Sequence, residues 1–146
     1  MESMPVGSSM IMYAVIALLG LYFVLLWPWQ LRVLRGKCVA NPDGSVDDWH
    51  VQKAHFGIAV ADVFVAVPVG FLAVVLAFWG SKWGFYLLAI GSFYLLWSGV
   101  MRTANSLKFE KPRKGFTWFM TFPFGAILSL VYIVWTFIYF DVLITR

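Results

Sequence analysis

Four apolar runs, each of about 20 residues or more, follow one another along the chain with short polar segments between them. An α-helix of about 20 apolar residues crosses a hydrocarbon core roughly 30 Å thick. Only 12% of the residues are charged and 62% are hydrophobic, whereas about a quarter of the residues of a soluble domain carry charge. The sequence therefore predicts an all-α integral membrane protein, with lipid bilayer around a single domain that covers residues 1–146.

The four runs predict four transmembrane helices in an up-down bundle. Proline removes a backbone donor, so Pro28 and Pro68 are expected to bend or thin the first two helices. The N-terminus carries no Lys or Arg and no small-residue cleavage site, so a removed signal peptide is not expected. We expect helices at about residues 10–31, 47–79, 83–107 and 116–140, and polar loops at 32–46 and 108–115.

The distribution of basic residues predicts the orientation in the membrane. Nine of them lie in or beside the two polar loops, against Lys82 and Arg146 on the other side, and an excess of Lys and Arg marks cytoplasmic loops. Both termini are therefore expected outside a plasma membrane, or a bacterial inner membrane. Because the basic residues act as topology signals, the net charge of +4 does not indicate nucleic acid as a partner. The nine are Arg32, Arg35, Lys37, Lys53, Arg102, Lys108, Lys111, Arg113 and Lys114.

A short motif occurs twice. Phe-x-x-x-Pro-x-Gly stands at residues 64–70 in the second helix and at 119–125 in the fourth. A repeat of this kind fits two parallel hairpins related by an axis along the membrane normal. Chance is the alternative, because Pro and Gly are common in membrane helices.

Asp62 is the only acidic residue that falls inside an apolar run. An ionised carboxyl group at the centre of a membrane helix costs about 2.5–3.5 kcal/mol on insertion scales, so Asp62 is expected to face the bundle interior and to have a partner. The third helix offers candidates at spacings of four, four and three, which is one helical face. They are Arg102 for an ion pair, Tyr94 and Ser98 for hydrogen bonds, and Asn105 at the end of the stripe.

Two interpretations of this polar stripe remain open. In one, a buried ion pair between Asp62 and Arg102 fixes the register of the second and third helices. In the other, the stripe carries function, because Asp48, His55 and Asp62 repeat every seven residues and lie on one helix face. His55 lies about 10 Å along the axis from Asp62 and cannot bond it directly. A functional stripe would then be a proton path or the polar end of a small-ligand cavity.

Metal and cofactor chemistry is weakly indicated. His50 and His55 are five residues apart, whereas two ligands on one helix bind a metal at spacings of three or four, so no metal site is expected and these two are only weak candidates. No sequence motif indicates a particular cofactor. Cys38 is the only cysteine, which excludes an intramolecular disulfide and leaves juxtamembrane acylation as an alternative to an ordinary loop thiol.

These observations favour a non-catalytic accessory or assembly subunit that packs against a larger membrane complex or against copies of itself. Small residues at 57 and 61, and at 66 and 70, would let another helix approach closely. The alternative is a binding protein or membrane enzyme for a small lipid-like molecule, with a cytoplasm-facing polar pocket formed by Asp62, His55 and Arg102. A proton-coupled carrier is the third hypothesis.

Overall fold

A computed structural model describes residues 4–37, 49–110 and 114–144. Almost all of these residues are helical, and this part of the chain contains no β-strand, which confirms the all-α class. The helices are α1 (Val6–Leu34), α2 (Trp49–Ala61), α3 (Val67–Phe78), α4 (Lys82–Asn105), α5 (Phe116–Thr121), α6 (Pro123–Ile138) and α7 (Phe140–Ile144), with π-helical turns at Asp62–Ala66 and Ser106–Glu110. Cys38 and Asp48 lie outside the described residues.

Among the residues that the structure describes, three helices are long and apolar enough to cross a membrane, which supports a membrane location. They are Val6–Leu34, Gln52–Phe78 and Lys82–Lys108. The fourth apolar run contains the shorter helix Pro123–Ile138. The first of the three continues unbroken through Pro28, where the sequence suggested a bend or a thinned turn.

The second apolar run is one continuous helix with a π-helical turn inside it. Pro68 has no N–H and cannot bond to the carbonyl four residues earlier. Directly before it, the N–H of Val67 bonds to the carbonyl of Asp62, five residues back. The wider turn takes up the mismatch, so that α2, the turn and α3 share helical backbone angles. Such turns are frequent at functional sites.

The helices pack as a bundle around one core. α4 contacts α3 and α6, and α1 contacts the same two helices, so each of these four long helices has two neighbours in the bundle. The fully buried side chains between them include Ile16, Leu19, Phe23, Leu88 and Tyr132. Tyr132 also donates a 3.2 Å hydrogen bond to the carbonyl of Phe85, which joins α6 to α4.

The turn between α3 and α4 is short and its backbone comes very close. Gly80 has a φ of 72°, a conformation that other residues rarely adopt. Gly84, in the first turn of α4, lies directly against the backbone of Leu76 and Ala77, and a Cβ atom there would overlap with both residues. Glycine at 84 therefore sets how closely α3 and α4 approach.

The fourth apolar run does not form the single helix expected over residues 116–140. α5 ends at Thr121, α6 begins at Pro123 and ends at Ile138, and α7 follows from Phe140. Proline is well tolerated in the first turn of a helix but not in its interior, which accounts for the break at Phe122. Pro123 of the twofold motif lies in the first turn of α6, whereas Pro68 lies inside the continuous helix directly after the π-helical turn, and the repeat itself stays a prediction.

Candidate functional site

Asp62 lies inside the bundle. It is the first residue of the π-helical turn between α2 and α3, and only 4% of its surface is exposed. The sequence predicted an inward-facing carboxyl group because of the cost of exposing one to lipid, and the structure places it there.

Two neutral side chains from two other helices bind the carboxyl group of Asp62. The side-chain amide of Gln30 in α1 donates a 2.6 Å hydrogen bond from Nε2 to Oδ2. The hydroxyl of Tyr94 in α4 donates a 2.6 Å bond to Oδ1. The carboxylate thus connects α1, the π-helical turn and α4. We call Gln30, Asp62 and Tyr94 the Asp62 cluster.

Gln30 is the member of this cluster that the sequence analysis missed. It stands between Trp29 and Arg32 at the end of the first apolar run, a position typical of an interfacial flank. Its depth in the bundle is that of a core residue, because only 5% of its surface is exposed. One signal was available: Gln30 follows the buried Phe23 by seven residues, which is close to two helical turns, so both lie on the same face of α1.

Arg102 occupies a different position from that of a direct ion-pair partner. Its guanidinium carbon lies 5.8 Å from the ring centre of Trp29, a cation–π arrangement. From there its charge acts electrostatically on Asp62 and on Tyr22. The hydrogen bonds to the Asp62 carboxylate come from the neutral side chains of Gln30 and Tyr94. The positive charge of Arg102 acts on the carboxylate without a direct bond to it.

The four residues of the predicted polar stripe on α4 do not all lie at Asp62. Ser98 donates a 3.2 Å bond to the carbonyl of Leu95 in its own helix, so this bond does not serve Asp62 as expected. Asn105 is exposed near the end of α4. Of the four stripe residues, Tyr94 therefore bonds Asp62, Arg102 lies nearby, and the others face elsewhere. The seven-residue alignment with Asp48 stays a prediction.

A small cavity is lined in part by Gln30, the residue that donates to Oδ2 of Asp62. Its volume is about 10 Å³, which is about the space one water molecule needs. It lies where α1 and α4 end and α2 begins, an end of the bundle rich in basic residues that we call the basic end. The lining residues are Trp29, Gln30, Val33, His55, Ile58 and Arg102. His55 and Arg102 thus share a cavity wall with the residue that bonds Asp62.

The two histidines do not come together. His50 is exposed, whereas His55 is half-buried and lines the cavity. Within residues 4–37, 49–110 and 114–144, no group of three or more His, Cys, Asp and Glu side chains is placed to hold a metal ion.

The second π-helical turn repeats the arrangement at Asp62. Ser106, its first residue, is fully buried, and the indole N–H of Trp118 in α5 donates a 3.0 Å bond to its hydroxyl. Both π-helical turns therefore begin with a buried polar side chain that a different helix binds. The sequence analysis did not anticipate this second contact.

A larger opening lies toward the opposite end of the bundle. It is an open apolar groove of about 430 Å³. Tyr139 donates a 3.2 Å bond to Ser8 beside it. Ser8 precedes Gln30 by 22 residues of the same helix, or about 33 Å at 1.5 Å per residue, so the groove is remote from the Asp62 cluster.

Comparison with known proteins gives no match to this chain among protein families, curated proteins or solved structures.

Proposed function

We propose that the chain is a non-catalytic integral membrane subunit that packs against a larger membrane complex or against copies of itself. The observation that carries this proposal is the bonding of Asp62, since both carboxylate oxygens accept hydrogen bonds from neighbouring helices. The main intramembrane polar group is thereby used to hold α1, α4 and the π-helical turn in register. A polar group used in this way supports a structural role.

The size of the adjacent cavity also favours a subunit over a lipid-like-ligand enzyme. Sites for small organic ligands usually enclose about 300–1,000 Å³. The cavity beside the Asp62 cluster has about 10 Å³, enough for one water-sized group.

In the proposed topology the chain crosses the membrane four times, with both termini on the non-cytoplasmic side. Residues 116–144 form the fourth crossing through α5, α6 and α7. α6 alone, with 16 residues at 1.5 Å each, reaches about 24 Å, so the short helices α5 and α7 at its two ends would be needed to cover the roughly 30 Å of a hydrocarbon core. The basic end, with Arg32 in the last turn of α1 and Arg35 and Lys37 after it, would then be cytoplasmic.

The outer face of α2 is the proposed contact for a partner helix. Gly57 and Ala61 are one helical turn apart and both exposed, and nothing lies within 4 Å of the position a Cβ atom would take on Gly57. The second small pair predicted from the sequence has another use, because Gly70 lies against the ring of Phe23 inside the bundle. Small residues on an outer face allow close helix packing in membranes.

Native mass spectrometry of the protein, gently extracted from its own membrane, tests the proposal. We expect a constant larger partner or a defined number of copies. Ala61→Leu should weaken that assembly, whereas the same change at the exposed Ala104 of α4 should leave it intact. A lone protein that carries a bound small molecule would contradict the subunit role and favour the ligand hypothesis.

A further inference from the structure

The partners of Asp62 share one chemical property. A glutamine amide has both donors and an acceptor, and a half-turn about its last bond exchanges them. A tyrosine hydroxyl can also donate or accept. Gln30 and Tyr94 both donate to the carboxylate in this structure. Because Lys and Arg side chains can only donate, they could not accept a bond from a protonated carboxyl group, whereas this pair can satisfy Asp62 in either protonation state.

The charged and titratable groups that face Asp62 come from three helical segments. From α1 there is Tyr22, from α4 there are Tyr94 and Arg102, and from its own helix His55 lines the adjoining cavity. The Arg102 guanidinium lies over the ring of Trp29 and carries a positive charge. The positive charge of Arg102 therefore compensates the negative charge of Asp62 when the carboxyl group is ionised. When Asp62 is protonated, its hydrogen bonds to the neutral side chains of Gln30 and Tyr94 need not break.

The cavity next to the Asp62 cluster has room for about one water molecule. Gln30 belongs both to the cavity wall and to the hydrogen bond with Asp62, so the same side chain contacts the carboxylate and a water-sized space. That space lies at the basic end, next to His55. Imidazole is the side chain best suited to exchange protons near neutral pH.

We propose that Asp62 is a reversible proton-binding site that exchanges with water at the basic end through the cavity lined by His55 and Arg102. Rotation of the Gln30 side chain admits a hydronium ion from the cavity to Oδ2. One O–H bond of the hydronium ion breaks and one forms at Oδ2, which leaves water and a neutral carboxylic acid. The Gln30 amide then turns so that its oxygen accepts from the new O–H group. This role goes beyond that of a membrane subunit and does not depend on it.

Infrared difference spectroscopy of the purified protein in lipid tests the site. On acidification we expect the carbonyl band of a protonated carboxyl group to appear, and to disappear again on return to the starting pH. The band should be absent in Asp62→Asn and displaced in Asp62→Glu, which keeps a carboxyl group if the amide variant fails to fold. The proposal is overturned if, at every pH at which circular dichroism shows intact helices, the parent protein has no carbonyl band that is lost or displaced when Asp62 is replaced.

A matched pair of variants tests the route. Ile58 lines the cavity, whereas Val60, two residues later in α2, is exposed on the outer surface. After a pH jump, the Asp62 band should form about tenfold more slowly in Ile58→Phe, since a tenfold change in rate requires only about 1.4 kcal/mol of added barrier. Val60→Phe should match the parent protein. Equal rates in all three proteins would overturn the cavity as the route.

Discussion

The hydroxyl of Tyr94 lies 2.6 Å from Oδ1 of Asp62, so that a side chain of α4 binds the π-helical turn between α2 and α3 directly. On the other oxygen, the amide of Gln30 makes a bond of the same length from α1. A single carboxylate thereby joins three helical segments that are remote in sequence. Because its partners are neutral, the strength of this junction depends on hydrogen bonding, with the charge of Arg102 nearby.

Removal of the Tyr94 hydroxyl should destabilise the bundle. Tyr94→Phe keeps the ring and deletes one donor to a buried carboxylate, for which we expect a loss of about 1–2 kcal/mol in the free energy of unfolding. Unfolding in a mild detergent, followed by circular dichroism, measures this. Tyr86→Phe is the matched control, because Tyr86 is exposed on the same helix. Equal losses for the two variants would show that the bond to Asp62 contributes nothing specific.

The two donors to Asp62 should also be energetically coupled. Gln30→Leu and Tyr94→Phe each leave one carboxylate oxygen without its donor, and the acceptor is shared. For neighbours in one network, the combined effect departs from the sum of the single effects by about 0.5–3 kcal/mol. A double-mutant cycle on the free energy of unfolding gives this value. Strict additivity would mean that the two hydrogen bonds act independently.

The inward position of Asp62 followed from the sequence, but its partners did not. The cost of a carboxyl group in lipid is a property of one residue and its surroundings, so an apolar run with a single Asp is enough to predict burial. A choice of partner depends on the rotation and depth of three helices relative to each other. The π-helical turn at residues 62–66 alters that rotation locally, and hydropathy does not predict it.

Gln30 and Arg102 illustrate the same limit. An ion pair with Arg102 was the simplest way to compensate the charge of Asp62. In the structure the Arg102 guanidinium instead lies over the ring of Trp29. Gln30 was missed because the neighbouring Trp29 and Arg32 are residue types expected at a membrane boundary. The long apolar runs, in contrast, are local signals, and three of the four correspond directly to helices long enough to cross a membrane.

Replacement of Ser92 by alanine should stabilise the protein against unfolding. Its hydroxyl is fully buried in α4 and has no hydrogen-bond partner among residues 4–37, 49–110 and 114–144. Removal of a buried polar group without a partner removes its desolvation cost, so Ser92→Ala should raise the free energy of unfolding by about 1 kcal/mol.

Ser129→Ala is the control for this change. Ser129 is equally buried in α6, but its hydroxyl donates a 2.7 Å bond to the carbonyl of Gly125. The expected order of stability is therefore Ser92→Ala, then the parent protein, then Ser129→Ala at or slightly below it, by unfolding in the same detergent. A Ser92→Ala protein less stable than its parent would mean that the hydroxyl makes a favourable contact.

The approach of α3 to α4 should be the part of the bundle least tolerant of added volume. A methyl group on Gly84 would overlap with the backbone of Leu76 and Ala77, which cannot move aside as a flexible side chain can. Forced packing of this kind typically costs about 1–3 kcal/mol, so Gly84→Ala should lower the midpoint of thermal unfolding clearly. Gly91→Ala, on the same helix, is the matched control, since the nearest atom to its added carbon is 4.0 Å away in the ring of Phe23. Alanine is also the better helix former by about 1 kcal/mol, so Gly91→Ala should be neutral or stabilising. If both variants gained stability, the backbones of α3 and α4 would have to lie farther apart than this structure places them.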